Sequence, residues 1–186
     1  MARLRFMPSV TTIQDLENMP RDEDYKLKFD VDPPSKAPPD EYFKFPMCIS
    51  VEYTGAKSKR VSKADFHFEV FELFNRRDNS ETSQLCKAIE KNDVYEAKTY
   101  QDMPLKTDNE SFPLNFGMFR KIGRYRIAVI MSTPEWRRPQ VRAYAISKDI
   151  TVESLAFDLS EYSISSLGLV SSTKEHRPLI SAGAKS

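Results

Sequence analysis

The sequence predicts an α+β domain: an antiparallel β-sheet with two or three short helices packed on it, preceded by an extended, Pro-rich N-terminal arm. Three observations carry that expectation. Several stretches alternate apolar and polar residues, as a half-buried strand does; others repeat apolar residues at helical spacing; and six prolines fall within residues 1–41. The expected organisation is an acidic, Pro-rich arm over 1–41, one globular domain over 42–172 and a mobile tail over 173–186.

The elements follow in order. Pro8, Pro20, Pro33, Pro34, Pro38 and Pro39 interrupt long regular structure, so 1–41 reads as an arm, with a short helix opening at Thr11 or Thr12 and a polyproline-like spacer over 32–40. Phe43, Phe45, Met47, Ile49 and Val51 have strand period, with Pro46 favouring an edge or a late start. Residues 54–60 form a basic loop. The stretch 62–74 fits both templates: Phe66, Phe68 and Val70 alternate, while Phe66, Val70, Leu73 and Phe74 share a helix face. Ser62 as N-cap with Asp65 in the first turn favours the helix. Leu85, Ala88 and Ile89 predict a helix over 80–92. A strand is expected over 93–100 and a polar loop over 101–113. Residues 124–131 and 141–146 give the strongest strand signals and suit an antiparallel pairing. Val152, Leu155, Ala156 and Leu159 predict a helix over 149–160, followed by a last strand over 164–170.

Composition narrows the function classes. The chain of 186 residues is long enough to bury a core without staples, and twelve Phe and eight Tyr supply aromatic packing. Two cysteines, Cys48 and Cys86, make no disulfide framework, and the N-terminus lacks the apolar run of a signal peptide. A soluble, intracellular protein is the expectation. Residues 1–41 hold six Lys/Arg against nine Asp/Glu, and the remainder 22 against 18, so an acidic leader precedes a mildly basic body.

Catalytic parts are scarce. His67 and His176 are the two histidines, and no CxxC, HExxH, Walker-type or GxGxxG pattern occurs. His67 sits among phenylalanines, as a core histidine does. The carboxylates of Asp22–Asp24 and Asp108–Glu110 read as solvated loop charge. No enzyme activity, cofactor or metal is expected, and function is expected to rest on binding.

Positive charge marks where binding is expected. Arg120, Lys121, Arg124, Arg126, Arg137, Arg138 and Arg142 stand against one carboxylate, Glu135, between Gly117 and Arg142. Arginine's planar fork suits phosphate, and Phe119, Tyr125, Trp136 and Tyr144 are interleaved for stacking or interfacial insertion. Lys57, Lys59, Arg60 and Lys63 form a second cluster. A polyanion site is expected here; the alternatives are a sheet face neutralised by acidic neighbours, or a protein-binding face.

The stretch FPLNFGMFRKIGRYRIAVIMSTPE (Phe112–Glu135) resembles the apolar–basic segment that leads into a central strand of rhabdovirus matrix proteins. EYFKFPMCISVEYTG (Glu41–Gly55), after a Pro-rich arm, is similar to that family's first strand, and the size fits its smaller, plant-infecting members. The resemblance implies an α+β core that self-associates, condenses a nucleocapsid and links it to the inner membrane face during virion assembly. The implied partners are further copies, a nucleoprotein–RNA complex, an anionic membrane surface, and a viral glycoprotein or host factors. The implied locations are the virion beneath its envelope, the host cytoplasm and inner membrane face, and the nucleus. The basic residues from Arg120 to Arg142, with Lys57, Lys59 and Arg60, would then meet nucleocapsid or membrane. Pro33, Pro34, Pro38, Pro39 and Tyr42 would dock a neighbouring copy. YFKFP (Tyr42–Pro46) paired with GRYRIAV (Gly123–Val129) is also similar to the β-sandwich of velvet regulators, which bind DNA and dimerise. That alternative requires 62–74 to be a strand and most helices to vanish. A protein-interaction module without a nucleic-acid role is the third expectation.

Overall fold

Two long strands lie at the centre of the computed structural model, which describes residues 10–44, 46–75, 80–86, 91–133 and 140–154 (of 91–92, the backbone only). These strands are β4 (Lys63–Asn75) and β10 (Gly123–Ser132). They pair antiparallel in unbroken register from Tyr125↔Glu72 to Ser132↔Asp65. Each has a second edge shared by two shorter strands. On β4 these are β5 (Glu81–Leu85) and β7 (Tyr100–Pro104). On β10 they are β11 (Val141–Ile146) and β12 (Ile150–Val152). Between those two, Ser147 fills the gap. Its N–H donates to the Ile127 carbonyl, and its Oγ accepts from the Ile127 N–H. The two-residue β2 (Lys36–Ala37) joins β12 in parallel and completes this sheet.

A second antiparallel sheet is built from β1 (Tyr25–Val31), β3 (Met47–Tyr53) and β8 (Asn109–Leu114), in the order β1-β3-β8. All three alternate strictly enough to bury one face: Tyr25 and Leu27, Met47 through Tyr53 at every second residue, Phe112 and Leu114. That face packs on Phe66, Phe68 and Val70 of β4 and on Tyr125, Ile127, Val129 and Met131 of β10. The Phe66 and Phe112 rings meet across the gap, 5.1 Å between centroids. The architecture is therefore a β-sandwich with a dry aromatic centre. A small pair, β6 (Tyr95–Glu96) and β9 (Met118–Phe119), lies beside it.

The outer face of the large sheet is covered by the stretch 10–19, whose helix α1 (Ile13–Glu17) lays Ile13 and Leu16 on Phe71, Leu73, Ala128 and Ile130. Backbone bonds tie this strap to the β5 edge: the Leu85 N–H donates to the Thr11 carbonyl and the Ile13 N–H to Ser83 Oγ. Thr12 and Asp15 form a capping box, and hydrogen bonds from Thr11 and Thr12 lower the Asp15 carboxyl to about 2.

Several expectations are corrected. Strand accounts for 53% of the structure and helix for 8%, so the antiparallel sheet stands and the helices largely do not. The 62–74 segment is strand β4; it alternates through Val70, and Phe71 and Leu73, buried on the other face beneath α1, add the apolar positions that match helix spacing. The expected 80–92 helix opens as strand β5, because pairing of Leu85 with Phe71 overrides helical propensity; Ala88 and Ile89 lie outside the described residues, and Lys91–Val94 makes a helical turn, α2. The 101–113 loop contains most of β7 and β8, with Pro113 tolerated at a sheet edge. Residues 150–152 are strand β12, where a helix was expected. Nor is 10–41 a free arm: it supplies α1, β1 and β2, since the prolines fall between elements and leave Tyr25, Leu27 and Phe29 to alternate. The chain divides into units Met1–Leu155 and Ala156–Ser186, and every described residue lies in the first. The rest of the helix expected over 149–160, from Leu155 to Ser160, the expected strand over 164–170 and the tail over 173–186 lie outside the described residues.

Leu16 is fully buried between the strap and the large sheet. Leu16→Ala is expected to cost about 2–5 kcal/mol in urea unfolding, as a core truncation does, whereas a free arm would give no measurable change.

Candidate interaction surface

The basic stretch does not form one patch. Arg124 and Arg126 project from the outer face of β10, where both bind the same two carboxylates. Arg124 Nη2 lies 2.7 Å from Asp149 and 2.9 Å from Glu81; Arg126 Nε lies 2.7 Å from Asp149 and its Nη2 3.4 Å from Glu81. Burial pushes the Asp149 carboxyl up, but hydrogen bonds from Arg126 and Arg124 outweigh that and hold it below its usual value. The same bond to Asp149 raises the Arg124 guanidinium. Two charges of each sign close this cluster, so it offers phosphate little net attraction.

The other cations are dispersed. Arg142 lies near the far end of β10, beside Ala143, which pairs with Met131, and its Nη1 sits 3.0 Å from Asp22. From Arg124 to Ser132 the strand rises about 26 Å, too far for one small anion to bridge. Arg120 pairs with Glu96 at 2.9 Å and reaches Asp40 at 3.9 Å. Arg60 binds Asp108 at 2.6 Å. Lys57 and Lys59 sit exposed on a 3-10 turn between β3 and β4, and Lys121 is exposed before β10; none of the three makes an ion pair among the described residues. Arg137, Arg138 and Trp136 lie outside the described residues. Phe119 and Tyr125 are fully buried and stack on each other at 4.8 Å, so neither is open to a base. Tyr144 is half-exposed, with Arg21 over its ring at 5.6 Å.

What sequence reasoning placed in a spacer, the fold builds into a surface. Pro33, Pro34, Pro38, Pro46, Tyr42 and Phe43 line a groove of about 500 Å³, floored by Met47 and walled by Val31 and Ala37. Pro39 is half-buried and outside its lining. Tyr42 stands as a ridge 61% exposed, with a second cleft of about 240 Å³ on its other side, over Phe116 and Gly117. The ridge is held firmly. Tyr42 Oη donates to Glu96 Oε1 (3.0 Å), the Phe43 N–H donates to the Gly117 carbonyl, and the Asp40 N–H donates to the Phe119 carbonyl. Asp40 (φ 59°) and Gly117 (φ 112°) both turn through the left-handed region; at Gly117 a Cβ would also collide with the Glu96 carbonyl.

Four large apolar side chains are exposed among the described residues: Val31, Tyr42, Phe74 and Ile122. Register puts Val31, Phe74 and Ile122 at one end of the sandwich, and Tyr42 shares the groove there with Val31 and Ala37. Val31 closes β1 opposite Cys48 at the start of β3. Phe74 lies two residues beyond Glu72, which pairs with Tyr125, and so is level with Gly123, next to Ile122. Gly123 pairs with Val152, which pairs with Ala37 in the groove wall. Phe43 joins the two halves by meeting Phe116 at 5.4 Å and Phe119 at 6.0 Å. The groove carries Asp32 and Glu41 against Lys36 and Lys44, leaving no net charge. An end that is apolar and electrically balanced suits protein docking better than a polyanion.

No group of three or more metal-ligating side chains occurs among the described residues, and no described helix is long and apolar enough to cross a membrane. No family model matches the chain, and no curated protein gives a significant sequence match.

Acid should open the arginine cluster. Because the folded-state Asp149 carboxyl is lowered, its contribution is present above the unfolded value of about 4 and disappears as pH falls through the lowered folded value. Unfolding free energies of wild type and Asp149→Asn, measured from pH 2 to 7, are expected to converge at the acid end and to separate above pH 4 by about 1 kcal/mol or less, as for other partly exposed pairs.

Proposed function

We propose that this chain is a non-enzymatic structural protein that works by docking protein partners at the apolar end of its sandwich. One observation carries the reading: two of the four exposed large apolar side chains, Val31 and Tyr42, line a charge-balanced groove, while Arg124, Arg126, Arg120, Arg142 and Arg60 each have an internal carboxylate partner. A guanidinium already bonded to a carboxylate must surrender that bond to bind phosphate, which cancels most of the gain. An apolar groove needs no such exchange and gains about 25 cal/mol for each Å² of apolar surface it covers.

A second reading is polyanion binding, supported by Lys57, Lys59 and Lys121, which are exposed and make no ion pair among the described residues. It includes the matrix-like role, bridging a nucleoprotein–RNA complex to an anionic membrane during assembly. It also includes the β-sandwich regulator that binds nucleic acid, which suits a sheet-dominated chain better than a helix-covered sheet would.

Co-sedimentation with RNA and with phosphatidylserine vesicles at low and high salt separates the readings. Protein docking expects little binding to either and no steep salt dependence. Strong binding at low salt, lost on adding salt and removed by Lys57→Glu with Lys59→Glu, would decide for the polyanion reading.

A further inference from the structure

We propose that the outer face of the large sheet is a second docking surface, that its partner is an amphipathic helix of about ten residues, and that α1 holds the place of that helix in the free chain. The proposal does not depend on the groove at Tyr42. The chain itself shows what this face takes. α1 enters beside β5, where the Leu85 N–H donates to the Thr11 carbonyl and the Ile13 N–H to Ser83 Oγ. It leaves beside β11, where Tyr144 Oη donates to the Glu17 carbonyl. Between those ends it crosses β4 and β10, with Ile13 and Leu16 turned onto Phe71, Leu73, Ala128 and Ile130. Four adjacent strands measure about 14 Å across, whereas the five residues of α1 rise only about 7.5 Å. The seat is longer than its occupant.

What α1 leaves unfilled is apolar or open. Leu85, Val141, Tyr144 and Ile146 border the same cluster and are only partly buried. A hollow of about 410 Å³ runs beside the helix over Leu73 and Ser83. Another of about 460 Å³ lies past its end, lined by Met19, Pro20 and Val141. A helix that continued beyond Glu17 would run toward this second hollow, and Pro20 denies that course to α1. The place-holder is also lightly held. Three hydrogen bonds tie 10–21 to the sheet among the described residues, and a helix of five residues does not sustain itself in water. The chain is clamped just before β1, because the Asp22 N–H donates to the Arg142 carbonyl and the Asp22 carboxylate pairs with the Arg142 guanidinium, each at 3.0 Å. The strap can therefore lift at Asp22 and leave β1 in place. As a tethered ligand it competes at an effective concentration on the order of millimolar, so only a helix that fills more of the seat displaces it.

The test uses the isotopically labelled full chain. In native-state hydrogen exchange, the Leu16 and Leu85 amides, both bonded to strap carbonyls, are expected to exchange about a hundredfold or more faster than the Ile127 amide of the central ladder, with little dependence on dilute urea. Equal rates with equal urea dependence mean that the strap leaves only when the whole chain unfolds, and overturn the proposal. The probe for the partner is a peptide of residues 10–21 carrying Pro20→Leu, which lets the helix run on and adds an apolar side chain seven positions after Ile13. It is expected to bind wild type and shift the amides of Phe71, Leu73 and Leu85, about tenfold or more tightly than the unaltered 10–21 peptide does. The Leu16→Asp chain is expected to take it up more tightly again, because its own strap competes less; a Leu16→Asp change in the peptide is expected to abolish binding. Should the Leu16→Asp chain lack the circular dichroism of wild type, the wild-type exchange rates and the two peptides decide alone. Equal affinity for the two peptides overturns the longer-helix partner, as does the absence of shifts at Phe71, Leu73 and Leu85 with millimolar peptide. Shifts at Val31–Lys44 instead would also overturn it and assign the helix to the apolar end.

Discussion

The eight residue pairs that join β4 to β10 are the constraint on which the rest of the molecule depends. Both strands are buried on both faces over much of their length: Phe66, Val70, Ile127 and Met131 pack toward the second sheet, and Phe71, Ala128 and Ile130 toward the N-terminal strap. A ladder buried on both sides must satisfy every backbone group internally, because water cannot reach the unpaired ones. The short strands β5, β7, β11 and β12 do this by dividing the two outer edges between them, and Ser147 closes the gap between β11 and β12. The strap, the second sheet and the edge strands are all consequences of keeping that ladder dry.

The same constraint distributes the charge. At the Gly123 end of β10 the alternating outer-face positions are Arg124 and Arg126, outside the apolar cluster in which α1 covers Ala128 and Ile130. Two guanidiniums there cannot be left half-buried and alone, and Glu81 of β5 with Asp149 before β12 neutralises them. Electrostatics is thus used to complete the sheet edge, and little of the arginine charge is left over. At that end of the sandwich the uncovered surface is instead apolar, formed where β1 closes and the chain passes through Pro33–Phe43 to β3.

Much of this was legible in the sequence, and the failures have physical causes. Strands β3, β10 and β11 were visible because one face of each alternates cleanly. β4 was ambiguous because its alternation through Val70 is followed by Phe71 and Leu73, apolar on the opposite face where the strap covers them, and these also complete a helical spacing. β1 was hidden by reading the six prolines as a property of the whole stretch; the signal was present in Tyr25, Leu27 and Phe29 against Lys26, Lys28 and Asp30. The arginine stretch is basic along the chain, but Glu81 lies 43 positions from Arg124 and Asp149 lies 25, so no local pattern could announce the neutralisation. Pro33, Pro34, Pro38 and Tyr42 stood out as candidate contact residues; that Val31, Phe43 and Met47 share their groove follows only from the closing of β1 against β3.

The claim that binding resides at the apolar end, and not along the arginines, is open to one direct measurement. Backbone amide shifts of the isotopically labelled chain, followed as the apolar dye ANS is added at fixed salt, report which surface takes up an apolar ligand. The expected result is a set of shifts confined to Val31–Lys44 and the neighbourhood of Ile122, unchanged by added salt. Shifts centred on Lys57–Arg60 and on Arg124–Arg142, collapsing as salt is added, would contradict it.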